Sequence, residues 1–102
     1  MLSRQEIIEK LRDTQLQNYL KNKGIEHLSL FGSYARDEAK SDSDLDLLID
    51  IRSWAIVTLF TLSDIEDKFQ SDFNIPRVDF VTTRSLNPRL KPYIESDIIN
   101  IF

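Results

Sequence analysis

Asp44 and Asp46 stand two residues apart in SDSDLDLLID, and a third aspartate, Asp79, lies within VDFVT. Residues i and i+2 of a β-strand project from one face, about 7 Å apart along the backbone. Two carboxylates so placed repel each other unless a cation lies between them. Mg²⁺ suits that place, because it takes oxygen ligands and is commonly held by one or two carboxylates plus substrate phosphates. Upstream, Gly32-Ser33 follows the alternating run IEHLSLF, where the chain must turn. Glycine lets a backbone approach a phosphate closely, serine adds a hydroxyl, and a helical turn opening near Ser33 would offer its first N–H groups. Asp79, in the middle of a strand expected to be half-buried, is costly unless paired or metal-bound. Three acids on adjacent strands beside a phosphate-binding turn can hold two metals about 3.5–4 Å apart, clamping the attacking and leaving oxygens of an in-line displacement.

Each of these signals alone has an ordinary reading. A Gly-Ser pair is usually just a turn, and Asp-x-Asp is common. A calcium loop fails on spacing: Asp42, Asp44 and Asp46 fit its positions 1, 3 and 5, but Leu47 stands where glycine is needed and Ser53 where glutamate is needed. His27 is the only histidine and there is no cysteine. Zinc chemistry and Ser-His triads therefore have little to work with. Trp54 and the phenylalanines read as core more readily than as a base-stacking platform. Arg36 and Lys40 could meet phosphates, although exposed loop cations are commonly just solvated.

The elements that must position these residues follow from periodicity. Ser3-Arg4-Gln5-Glu6 has the form of a capping box, and Ile7, Ile8, Leu11, Leu16, Tyr19 and Leu20 continue at helical spacing. One helix over about Ser3 to Asn22 is expected, stopped at Gly24. Ile25 to Phe31 reads as a first strand. Ser33 to Ser43 reads as a polar loop with room for one helical turn. Leu45, Leu47, Ile49 and Ile51 alternate with Asp44, Asp46, Leu48 and Asp50 as a second strand. Ser53 is the expected cap of a helix to about Gln70 that carries Trp54, Val57, Phe60, Leu62, Ile65 and Phe69. Val78 to Thr82 forms a third strand. A short last helix opens at Ser85, kinked at Pro92 or beginning only there, and Ile98 to Phe102 reads as an edge strand. The expected fold class is α+β, a two-layer arrangement of one small mixed sheet packed by helices.

With 102 residues, 41% hydrophobic and 29% charged, the chain is expected to form a single domain over residues 1–102. No apolar run approaches the ~20 residues of a membrane span. Met1 to Leu11 carries Glu6 and Glu9, unlike a secretory signal. The absence of cysteine fits a cytoplasmic protein. A net charge of −4 argues against stable nucleic-acid binding by the whole surface, although Arg77, Arg84, Arg89 and Lys91 could form a local basic patch.

Taken together, these residues resemble the nucleotidyltransferases of the DNA polymerase β superfamily. Their shared signature is Gly-Ser, ten residues, Asp-x-Asp, and a third acid on a later strand. Here Gly32-Ser33 is followed by Tyr34 to Ser43 and then Asp44-Leu45-Asp46. GSYAR and SDLDLLID are similar to the minimal nucleotidyltransferase (MNT) subfamily, and VDFVT to the segment that supplies its third carboxylate. The resemblance implies that Asp44, Asp46 and Asp79 are the catalytic, metal-binding set for two Mg²⁺ ions, with Asp79 on the metal that activates the acceptor hydroxyl. It implies that Gly32 and Ser33, with Arg36 and Ser43, bind the nucleotide, ATP. One departure is visible: the family usually has glycine after Ala-Arg, and this chain has Asp37, a tolerable residue if that position needs positive φ. Small MNT proteins resemble the antitoxin halves of type VII-like modules whose other member is a HEPN ribonuclease, where AMP is added to a tyrosine of the toxin. The implied partner is such a toxin, with a second half-site from it or from another copy of the chain. A module that masks the toxin without catalysis, and a transferase acting on a small molecule such as an antibiotic, are the alternatives.

Overall fold

The computed structural model describes residues 2–102. In chain order it contains α1 (Arg4–Leu11), α2 (Thr14–Asn22), β1 (Ile25–Phe31), β2 (Leu45–Ile51), α3 (Leu59–Phe73), β3 (Val78–Thr82), α4 (Lys91–Asp97) and β4 (Ile99–Asn100). The four strands form one mixed sheet in the order β3-β2-β1-β4. β1 is antiparallel to both β2 and β4, while β2 and β3, joined through α3, run parallel. The expected α+β architecture is the observed one.

Alternation along β2 divides the sheet into two unlike faces. Leu45, Leu47 and Ile49 are buried, in register with Leu30 and Leu28 on β1 and Val78 on β3. They form one core with Ile7 and Leu11 of α1, Leu16 and Leu20 of α2, and Ile65, Phe69 and Phe73 of α3. Phe69 and Phe73 stack with ring centroids 5.1 Å apart. The helices thus cover one side, and the opposite pleat carries Asp46, Leu48 and Asp50. The edge strand anticipated near the end is present, with Ser29 opposite Asn100 and Leu30 opposite Ile99.

Three boundaries differ from expectation. The single N-terminal helix is two. Arg12 ends α1 and the Asp13 carboxylate caps α2, its Oδ2 accepting from the Leu16 N–H at 3.1 Å. The five-residue step from Leu11 to Leu16 explains the break: in one straight helix it would turn Leu16 away from the Ile7/Leu11 face. The capping box at Ser3 and Glu6 is as read. Second, α3 is capped by Thr58, in a reciprocal pair with Thr61, and not by Ser53. The chain after β2 is instead tied back, with Arg52 N–H donating to the Gly24 carbonyl and Ala55 N–H to that of Arg52. Trp54 adopts φ +73° and is fully exposed, and Phe60 is 84% exposed, so these two aromatics are not core. Third, the last helix opens not at Ser85 but at Lys91, the later start that Pro92 had suggested, with Pro92 in its first turn where its missing N–H does no harm. Gly24, at φ +104°, ends α2 as expected. Among the described residues no helix is long and apolar enough to cross a membrane.

The contrast between the aromatics is measurable. Phe69→Ala is expected to lower unfolding stability by about 3–5 kcal/mol, whereas Phe60→Ala should stay within about 0.5 kcal/mol. Urea titration of both variants checks this, and equal losses would contradict the burial pattern.

Candidate active site

The parallel register of β2 and β3 sets Asp46 directly opposite Asp79, and the antiparallel register of β1 and β2 sets Asp46 opposite Phe31. Directly paired residues share a face, so Asp46 and Asp79 are side by side on the pleat away from the helices. Gly32, the next residue after Phe31, has φ +79°. A Cβ built there would fall 2.1 Å from Asp46 Oδ2 and 2.9 Å from its Cγ. The missing side chain of Gly32 is the space the Asp46 carboxylate occupies.

From Gly32 the chain makes one helical turn. Arg36 N–H donates to the Gly32 carbonyl at 3.1 Å and Glu38 N–H to the Ser33 carbonyl at 2.8 Å. The N–H groups of Ser33 to Ala35, which open the turn, have no carbonyl of that turn to reach. Tyr34 and Ala35 are buried and anchor it, and Asp37 takes positive φ, 60°, as its place in the glycine position anticipated. Arg36 stands close enough to Asp46 to favour its charged form. Its guanidinium is held by Glu38, at 3.1 Å, and by Asp97 at the end of α4, at 2.8 Å. Ser43 Oγ accepts from Lys40 N–H at 2.8 Å and closes the turn that delivers Asp44.

Asp44 lies immediately before β2. Its Oδ2 accepts from Arg77 Nη2 at 2.9 Å. Arg77 lies immediately before β3, and counting back along the register from Asp46 and Asp79 puts Arg77 opposite Asp44. Sequence reasoning grouped Arg77 with Arg84, Arg89 and Lys91 as a basic patch; Arg77 and Arg84 stand at opposite ends of β3, and that grouping does not form around Arg77. A parallel alignment of DLD with RVD, which pairs Asp46 with Asp79, would have revealed the pair. The start of β3 is pinned by α3, where Glu66 Oε2 accepts from Val78 N–H at 2.9 Å and Gln70 Nε2 donates to the Pro76 carbonyl at 2.7 Å. Leu45 N–H also donates to the Arg77 carbonyl at 3.0 Å.

The electrostatic burden falls on Asp46. Its carboxyl is pushed up from 3.8 to about 6, first by burial, then by the negative charges of Asp79 and Asp44, with Arg36 partly opposing. Asp79 itself is exposed, so the desolvation cost expected of an acid in that half-buried strand falls instead on Asp46. Among the described residues no group of three or more His, Cys, Asp or Glu side chains is gathered so as to hold a metal ion. The donor set nevertheless fits a hard cation: three carboxylates, no nitrogen or sulfur ligand, and mutual repulsion that positive charge would relieve. Arg77 supplies part of that charge at Asp44.

The nucleotidyltransferase domain family model matches residues 8–101. A Methanocaldococcus jannaschii protein assigned provisionally as a protein adenylyltransferase is 40% identical over 78 residues, 76% of each chain. The protein adenylyltransferase MntA of Thermococcus cleftensis is 29% identical over 96 residues, 94% of each chain. Among solved structures, a provisionally assigned minimal nucleotidyltransferase superposes with TM-score 0.73 at 30% identity, covering 96% of this chain and 95% of that one. A chain from the complex of a tri-AMPylated Shewanella oneidensis HEPN toxin with its MNT antitoxin superposes with TM-score 0.61 at 18% identity, over 92% of this chain and 71% of that one, a likeness of fold alone. The chain belongs to the nucleotidyltransferase domain family, and its fold is that of the minimal nucleotidyltransferases. It is a nucleotidyltransferase.

A carboxyl raised by folding contributes stability that is fully present below 3.8 and lost as pH rises through about 6. Asp46→Asn is therefore expected to raise the metal-free unfolding stability at pH 7 by about 1–2 kcal/mol once solvent screening is allowed for, and the melting temperature with it. The gain should shrink towards zero by pH 4. Melting curves across that range check it, and a gain independent of pH would remove Asp46 as its source.

Proposed function

We propose that this chain transfers AMP from ATP to a hydroxyl of a partner protein, a tyrosine of a HEPN-type toxin, and acts as the antitoxin of a type VII-like pair. The observation that carries the reading is Asp46 set in register beside Asp79 and tucked against Gly32, at the mouth of a helical turn. The names of the relatives support protein adenylylation, and the fold shared with the antitoxin of an AMP-modified toxin supports the class of partner.

Residue roles follow from position. Asp44 and Asp46, on one face at the start of β2, and Asp79 beside them would hold two Mg²⁺. Such ions, when bound, supply the positive charge that neutralises the phosphates and the acceptor oxygen. Gly32 and Ser33 cradle the phosphates with backbone N–H groups and a hydroxyl. Arg36, held by two carboxylates, and Ser43, which shapes the loop before Asp44, stand behind them. The acceptor hydroxyl attacks the α-phosphorus of ATP; the new P–O bond forms as the bond to pyrophosphate breaks. Asp79, the most exposed of the three acids, faces the side from which a protein acceptor can arrive and takes the hydroxyl proton.

The second reading, a module that masks its partner without chemistry, draws on the Arg77–Asp44 pair, which engages one of the three acids. One experiment separates the two. The chain is incubated with the HEPN-type protein, Mg²⁺ and ATP, and both are weighed as intact proteins. A gain of one or more AMP groups on the partner, abolished by Asp44→Asn with Asp46→Asn, is expected. A stable, inhibitory complex with no mass change, unaltered in the double variant, would establish masking instead.

A further inference from the structure

We propose that Arg77 is a stand-in cation and a positioning residue: it occupies Asp44 while the metal is absent, and on metal loading is displaced towards the triphosphate of the nucleotide. The inference rests on the reading of Asp44 as a metal ligand.

Three observations carry it. Arg77 Nη2 lies 2.9 Å from Asp44 Oδ2, so the guanidinium holds a carboxylate oxygen that a divalent ion would need. The backbone on either side is fixed, since the Arg77 carbonyl accepts from Leu45 N–H and the neighbouring Val78 N–H donates to Glu66. The side chain is 69% exposed. An exposed ion pair is weak, worth little more than its partners' hydration, so a divalent cation can displace it without upsetting the fold. The freed guanidinium would then be a planar, permanently charged fork beside a site built for phosphates, and its geometry matches phosphate oxygens in pairs. One residue would thereby limit like-charge repulsion before loading and contribute to nucleotide binding after it.

The test uses the whole chain and two independent readouts. Calorimetric titration with Mg²⁺ alone, without nucleotide, should show Arg77→Met binding roughly two- to fivefold tighter than wild type, because the competitor is gone. In AMP transfer the same variant should raise KM for ATP about tenfold with a much smaller change in kcat, and Arg77→Lys should recover part of that loss. Arg36→Met is the control for a general charge effect, since that guanidinium is also near the carboxylates but is held by Glu38 and Asp97. If Arg77→Met leaves Mg²⁺ affinity unchanged, or tightens it no more than Arg36→Met does, the displacement is wrong although Asp44 can still be a ligand. If Asp44→Asn binds Mg²⁺ as wild type does, the ligand assignment fails and this inference falls with it.

Discussion

Everything at the site depends on one register. β2 and β3 run parallel with Asp46 opposite Asp79, and no side-chain choice afterwards can undo the repulsion this sets up. Parallel strands need a crossover, and α3 supplies it. The same helix fixes where β3 starts, because Glu66 accepts from Val78 N–H. A slip of one residue would send Asp79 to the helix-covered face and Val78 out of the core. The buried face therefore enforces the placement of the charges on the open one: Leu47 and Ile49 cannot be in the core unless Asp46 is outside it.

The surroundings of Asp46 show how far the chain goes to keep a carboxylate where it is unfavourable. Gly32 gives up its side chain to make room. Burial and two like charges push the Asp46 carboxyl to about 6, while Arg36 is shared with Glu38 and Asp97, and Arg77 sits on Asp44. Folding thus stores an electrostatic imbalance that a bound cation can release. Sites that must attract a charged ligand are commonly arranged so, and the same imbalance makes the metal-free fold less stable near neutral pH than its core alone would allow.

Much of this was legible in the sequence, and the part that was not has a common cause. The spacing from Gly32-Ser33 to Asp44-x-Asp46, the alternation of β2 and the apolar frame of Asp79 are local patterns, and each marks its element directly. Even the tolerance of positive φ at Asp37 could be read from residue type. What escaped depends on contacts between distant segments. Ser53 and Thr58 are both plausible caps; only the tie of Arg52 to Gly24 decides that the helix waits for Thr58, leaving Trp54 and Phe60 in solvent. The break between α1 and α2 hangs on which face of Leu16 the sheet needs. Arg77 could not be assigned to Asp44 without the strand pairing. Nor could it be read that Asp79 escapes desolvation while Asp46 does not, because a strand sequence does not say how open its outer face is left.

The most direct test is a crystal structure of the chain with Mn²⁺ in place of Mg²⁺ and a non-hydrolysable ATP analogue, the metal located by its anomalous scattering. Metal density at Asp44, Asp46 and Asp79, with phosphates seated over Gly32 and Ser33, is expected. Nucleotide bound elsewhere, or at this turn with no metal on these carboxylates, would contradict that expectation.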